Sequence, residues 1–229
     1  MQENHKTIII SLGGSIVVPD KPDPVYIKEF IDLIKEYTIQ NIKFVIIVGG
    51  GKTCRNYQHA LKQIRDVNNE DLDWLGIHTT LFNAQFIKLA FGDYAYNEII
   101  QDPNDLQKSD KLITICAGWK PGCSTDYDAI LFAQKVNAKS IINLSNIEYA
   151  YDKDPKVYPD AQPIIESTWA DFRKILPNEW NPGANTPFDP IAAKQADESG
   201  IEVVIMNGRH LSNLKNYLDD KEFIGTRIK

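Results

Sequence analysis

Apolar residues along the chain fall into two kinds of pattern. Short, nearly unbroken runs, Thr7-Ile8-Ile9-Ile10-Ser11-Leu12 and Phe44-Val45-Ile46-Ile47-Val48, each stop at glycines. A run of that length bounded by turn residues reads as a strand buried on both faces. Between them, after the stretch from Pro19 to Pro24, Ile27, Phe30, Ile31 and Ile34 recur at helical spacing and predict an amphipathic helix over 24–38. A second helix follows Gly49-Gly50-Gly51 with Tyr57, Leu61 and Ile64 on one face, and a long third helix is expected near 74–91. Apolar runs at 112–116, 140–144 and 203–206 predict further strands. Helices are expected at 126–137 and 189–199, the latter stopped by Ser199-Gly200. Continuously apolar strands alternating with helices call for a parallel sheet covered on both faces. The Pro-, Asp- and Asn-rich segments 151–163 and 177–187 are expected to be long surface loops, and loops of that size are often functional.

Composition narrows the class. With 229 residues, 43% of them hydrophobic, the chain buries a full core without disulfides or a structural metal. No repeat, low-complexity tract or linker divides it, so one α/β domain is expected, with two lobes as a variant. Lys and Arg number 25 against 31 Asp and Glu, a net charge of −6, which argues against a general nucleic-acid binder but not against one local anion pocket. Three cysteines, Cys54, Cys116 and Cys123, without a C-x-x-C pair, suggest a reducing compartment rather than a disulfide framework or a zinc site. No run of about 18 apolar residues and no signal-like core is found, so a cytoplasmic protein without a membrane segment is expected. His5, His59, His78 and His210 lack metal-ligand spacing and read as surface or satisfied histidines, with His78 the one candidate to face a ligand pocket. Trp74, Phe82 and Phe86 read as core or subunit interface.

Candidate chemistry sits in the turns after strands. Leu12-Gly13-Gly14-Ser15 and Val48-Gly49-Gly50-Gly51-Lys52 follow the first two strands, and in a parallel sheet such turns lie at the carboxyl edge where ligands bind. Glycine lets backbone N–H groups approach a phosphate, the following helix N-terminus adds partial positive charge, and Lys52 and Arg55 add cationic donors. Ligand-free tight turns would look the same one at a time. Neither turn fits a Walker A loop, whose first glycine would fall at Ile46, nor the G-x-G-x-x-G fingerprint. A third turn, 118–126, supplies Lys120, Ser124 and Thr125. A fourth, Leu144-Ser145-Asn146, leads into Tyr151-Asp152-Lys153-Asp154-Pro155, where an aromatic face and carboxylates suit a base and a ribose. Asp189 before Pro190 is either a helix cap or an active-site aspartate.

Taken in order, Gly-Gly-Ser, Gly-Gly-Gly-Lys-x-x-Arg-x-Tyr, Gly-x-x-Pro-Gly-x-Ser-Thr, Ser-Asn…Tyr-x-x-Asp-Pro and Phe188-Asp189-Pro190-Ile191-Ala192-Ala193-Lys194 resemble the amino acid kinase superfamily. Within it the chain is most similar to archaeal-type uridylate (UMP) kinases, from about residue 7 to Gly225-Thr226-Arg227-Ile228. The resemblance implies a three-layer α/β/α sandwich with a mainly parallel central sheet and transfer of the ATP γ-phosphoryl group to UMP with Mg²⁺. No direct protein ligand to the metal is assigned. It implies an acceptor side at about 1–118 and an ATP side at about 119–229.

By motif, Gly50, Asp73, Asn83 and the loop Trp119, Lys120, Pro121, Gly122, Cys123, Ser124 and Thr125 would bind UMP. Gly13, Gly14, Ser15, Gly51 and Arg55 would surround the transferring group, Ser145, Asn146, Tyr151 and Asp154 would hold ATP, and Asp189 would organise the site. Ser11 stands where many relatives carry Lys and favours the UMP kinase branch, while Tyr149 replaces a glycine of the ATP loop and would either reshape that loop or add a stacking surface. The resemblance also implies a homo-oligomer, a hexamer built from dimers. Another small-phosphate kinase of the superfamily, such as an isopentenyl phosphate kinase, and a non-catalytic nucleotide-binding or storage protein on the same fold are the alternatives.

Overall fold

The computed structural model describes residues 6–179 and 186–229; His5 and part of the 177–187 segment lie outside them. In chain order the elements are β1 (Thr7–Leu12), α1 (Gly14–Val17), α2 (Pro24–Thr38), β2 (Lys43–Val48), α3 (Gly51–Ile64), α4 (Asn69–Phe91), β3 (Ile113–Cys116), α5 (Thr125–Val136) and β4 (Ser140–Ser145). They continue with β5 (Ala150–Tyr151), β6 (Pro163–Ile164), β7 (Glu166–Ser167), α6 (Trp169–Phe172), α7 (Pro190–Ser199), β8 (Glu202–Asn207), α8 (Leu211–Leu218) and β9 (Thr226–Ile228).

Seven strands form one sheet in the order β3-β2-β1-β4-β8-β9-β7. Its five larger strands, β3 through β8 in that order, run parallel, and β9 turns back antiparallel to β8. Side chains alternate across a strand, so β1 sends Ile8, Ile10 and Leu12 to one face and Ile9 to the other. The first face packs Phe30 and Ile34 of α2, Ile87 and Phe91 of α4 and Leu214 of α8. The second packs Ile130 and Phe132 of α5, Trp169 of α6 and Ala192 and Ala196 of α7. The result is the three-layer α/β/α sandwich.

Local signals end the helices where the sequence suggests. Asp23 caps α2 by accepting from the Tyr26 N–H at 3.1 Å, with Pro24 at the first helical position. Gly200, at φ 60°, stops α7 in the left-handed conformation. The 151–163 loop departs from expectation in one respect: β5 and β6 pair antiparallel across its ends, Tyr151 opposite Pro163.

The helix after β2 also departs from expectation. Tyr57 and Ile64 are 62% and 79% exposed, and α3 buries Gly51 and Gln58 instead. The reason is position: α3 rests on α1 and α4 rather than on the sheet, so its apolar stripe serves no core. Trp74, Phe82 and Phe86 of α4 are likewise exposed, while Ile77, Ala84, Ile87 and Phe91 carry its packing. They are not core residues. No helix among the described residues is long and apolar enough to cross a membrane.

Candidate functional site

The turns after β1 and β2 lie side by side because their strands do, and their backbones interlock. The Gly49 N–H donates to Leu12 O and the Gly13 N–H to Leu144 O, both at 2.9 Å. A Cβ on Gly14 would stand 2.0 Å from the Gly51 nitrogen, and Gly51 itself is at φ +67°. Only glycine meets both demands, close approach at one position and a left-handed backbone at the other. Asn83 of α4, 3% exposed, braces the second turn by donating to the carbonyls of Gly49 and Gly50 at 2.9 and 3.0 Å.

Above these turns opens a cavity of about 400 Å³. Ser15, Gly50, Gly51 and Arg55 form one side, Asp73 and Thr80 of α4 another, and Lys120, Cys123, Ser124, Thr125 and Asp128 the rest. Both the first and the second half of the chain therefore build it. Three anchors hold the 118–125 loop over it. The Gly118 N–H donates to Thr80 Oγ1 at 2.9 Å, the Gly122 N–H to Asp73 Oδ2 at 2.7 Å, and the Ser124 N–H to Asp189 Oδ2 at 2.8 Å. Of the residues expected on the acceptor side, Gly50, Asp73, Lys120, Cys123, Ser124 and Thr125 line this cavity. Trp119 lines a neighbouring cavity together with His78, and Asn83 braces from beneath. Arg55 is exposed and has no ion-pair or hydrogen-bond partner among the described residues, which leaves its guanidinium open to an anion.

A second cavity, of about 350 Å³, is lined by Ser145, Asn146, Tyr149, Tyr151, Lys153 and Asp154. The four residues expected to hold ATP are thus brought together, with Tyr149 beside them. Asn146 lines both cavities, so the two sites meet. Glu148 is engaged elsewhere: its Oε1 accepts from Asn207 Nδ2 at 2.9 Å and lies 3.0 Å from His210 Nε2. Gly13 and Gly14, expected around the transferring group, line neither cavity and are packed against Leu144, Gly49 and Gly51.

Carboxyl groups crowd the floor of the site. Asp189, 1% exposed, caps α7 by accepting from the N–H groups of Ile191 (2.6 Å) and Ala192 (3.2 Å), while its other oxygen holds Ser124. The cap and the site residue are one side chain. Asp126 Oδ1 accepts from Ser11 Oγ at 3.0 Å and Asn143 Nδ2 at 2.8 Å, residues that sit opposite each other on β1 and β4. Burial first, then the Asp189 charge, pushes Asp126 up to about 7. Asp128 is pushed up to about 8, by burial first and then by Asp189 and Asp126, against the lowering effect of the Trp119 N–H and Lys120. Burial also lifts the Cys123 thiol to about 12 and raises Cys54, so neither is an activated nucleophile.

Asp126, Asp128 and Thr80 are the site residues that sequence reasoning missed. Two acids in the first turn of a helix are ordinary dipole compensation; the burial of Asp128 and the bonds of Asp126 to Ser11 and Asn143 mark them as something else. Thr80 carries no sequence signal.

Comparisons place this geometry among known proteins. The chain matches the amino acid kinase family over residues 6–207. It is 32% identical to a uridylate kinase of Methanoregula boonei over 216 residues, covering 93% of this chain and 91% of the relative. A uridylate kinase of Methanobrevibacter smithii is 30% identical over 225 residues, covering 96% and 98%. The crystal structure of the Archaeoglobus fulgidus uridylate kinase superposes with a TM-score of 0.83 at 25% identity, over 98% of this chain and all of that one.

Proposed function

The chain belongs to the amino acid kinase family, and from that premise we propose that it transfers the γ-phosphoryl group of ATP to UMP, giving UDP and ADP for pyrimidine nucleotide synthesis. The observation that carries the reading is the meeting of two cavities at Asn146, with the interlocked glycine turns and the unpaired Arg55 at the first of them. The named activity of the relatives supplies the acceptor.

Phosphoryl transfer asks a protein mainly to align two anions and neutralise their charge. Here UMP occupies the first cavity, its phosphate against Gly50 and Arg55 and its nucleoside against Asp73 and the 120–125 loop. ATP occupies the second, with Ser145, Asn146, Tyr151 and Asp154 around the nucleoside and phosphates, and its γ-phosphoryl group reaches the junction near Gly13, Gly14, Ser15 and Gly51. Arg55 and backbone N–H groups stabilise charge on the transferring group without reorganising. Asp189 is a positioning residue, fixing Ser124 and the start of α7 in one hold.

Among the described residues no group of three His, Cys, Asp or Glu side chains is placed to hold a metal. Mg²⁺ would enter with the ATP phosphates and neutralise their charge, with no direct protein ligand assigned to it.

Exposed apolar side chains, Tyr57 and Ile64 on α3 and Phe82 and Leu89 on α4, favour self-association, and the resemblance to the family supplies the dimer that builds toward a hexamer. Acceptor side about 1–118 and donor side about 119–229 remain a useful division, with the 118–128 segment lent to the acceptor. A cytoplasmic enzyme is in keeping with its three free cysteines.

The test is ADP release from Mg-ATP by purified protein, with UMP, CMP, dCMP, AMP or isopentenyl phosphate supplied separately. UMP-dependent release well above the others is expected. Release with another acceptor would overturn UMP, and none with any acceptor alongside ATP binding would favour a binding or storage role.

A further inference from the structure

One polar atom of the acceptor cavity has no partner. Asp128 is 2% exposed and lines the cavity; its Oδ2 accepts from the Trp119 N–H at 3.3 Å, while Oδ1 has no hydrogen-bond partner. A buried carboxyl oxygen left unpaired is costly, and its persistence at a ligand cavity calls for a partner that arrives with the ligand.

We propose that Asp128 selects the base of the acceptor nucleotide, its Oδ1 making a hydrogen bond to a ring carbonyl oxygen of a bound pyrimidine monophosphate. This rests on the reading that the first cavity takes a nucleoside monophosphate.

Charge sets which end of the ligand Asp128 meets. Gly50, Gly51 and Arg55, at the start of α3, form the side suited to a phosphate. Asp73 would repel a phosphate, so the wall that runs from α4 to the start of α5, Asp128 included, faces the nucleoside.

The proton decides what Asp128 recognises. The titratable groups around it are Asp126, Asp189, Cys116, Cys123, Tyr127 and Lys120, and Lys120 is the one cation among them. Burial first, then Asp189 and Asp126, raise Asp128 to about 8, which favours its protonated form at pH 7. Since Oδ2 faces an N–H donor, the proton resides on Oδ1, which therefore donates. A donor set against the 4-position of the base pairs with the carbonyl oxygen that uracil carries there and meets, donor to donor, the exocyclic amino group that cytosine carries there; the 2-carbonyl, common to both, would not discriminate. A site that leaves a polar group unmatched against the wrong ligand discriminates strongly.

The experiment measures kcat/KM for UMP and CMP from pH 6 to 9.5 in the wild-type enzyme, Asp128→Asn and Asp128→Leu, with the KM for ATP and a thermal melt as controls. In wild type the KM for UMP is expected to rise above about pH 8 as Oδ1 loses its proton, while the KM for ATP does not follow. Asp128→Leu should cut the UMP/CMP preference by at least about tenfold. Asp128→Asn, whose amide still donates, should keep UMP turnover within about threefold and lose the pH step, a result that loss of packing alone would not give. An unchanged UMP/CMP ratio in Asp128→Leu, or a pH step that survives in Asp128→Asn, overturns the proposal. Should Asp128→Leu fail to fold, the Asp128→Asn profile decides by itself. A wild-type enzyme inactive on every nucleoside monophosphate overturns the acceptor reading itself, and this proposal with it.

Discussion

Replacing Gly14 by alanine adds one methyl group at the tightest point between the two glycine turns. Its Cβ would stand 2.0 Å from the Gly51 nitrogen and 2.6 Å from both the Gly49 carbonyl carbon and the Gly51 Cα. Contacts between such atoms settle at about 3.5–4 Å, so the turns must part by on the order of 1.5 Å. All three obstacles are backbone, and no side chain can swing aside. Overpacking costs about 1–3 kcal/mol, and a backbone clash belongs at the upper end, about 3 kcal/mol. For a chain of this size that is a fall in Tm of about 6–12 °C. Because the parted turns are the proposed phosphate cradle, turnover should also fall by about 100-fold, the cost of a displacement near 1 Å at a reacting centre. Thermal melting and steady-state ADP release measure the two effects. Gly76→Ala, on the wall of the same cavity, is the matched control for the melt: there the Cβ meets Cys54 Sγ and Gln58 Nε2 at an ordinary 3.5 Å inside α4, and helix propensity favours alanine by up to about 1 kcal/mol. A Gly14→Ala enzyme melting within about 2 °C of wild type, with turnover within about threefold, would refute the reasoning.

Two further outcomes follow from the same site. Asp189→Asn sets an amide N–H₂ against at least one of the three N–H groups the carboxylate now accepts from, leaving a buried donor unpaired at a cost of about 1–3 kcal/mol, and turnover should fall at least about tenfold as the 118–125 loop loses its hold on α7; undiminished kcat in a stable variant would remove Asp189 from the mechanism. Arg55→Ala should leave the melt within about 0.5 kcal/mol of wild type, since Arg55 is exposed and pairs with nothing among the described residues, yet lower kcat/KM for the acceptor by about 100-fold, and a change confined to stability would end its phosphate role.

The fold was legible because its strands are unusually explicit. Ile8 to Leu12 and Phe44 to Val48 are apolar on both faces, which only a sheet covered on both sides can use, and the glycines that end them mark the carboxyl edge. Periodicity misled at α3, because an apolar stripe says that a face seeks burial and not what buries it; Tyr57 and Ile64 look outward from a helix seated on other helices. The short β9 and the small helix α8 carried too little pattern to be read, although Thr226 bonds across to Ala150 and Ile164. At the site, loop residues were found through their types and order. Asp126 and Asp128 were not, because their meaning lies in three carboxyl groups converging from two helices distant in the chain.

The interlocked turns have a consequence for how such a protein can change over generations. The proposed phosphate cradle is made of main chain, and its few vulnerable positions are glycines that accept almost no substitution. The facing wall, by contrast, is made of side chains on α4 and the 118–128 segment. Mutation can therefore explore new acceptors along that wall while the machinery of transfer stays out of reach of drift. A lineage built this way diversifies in what it phosphorylates long before it alters how.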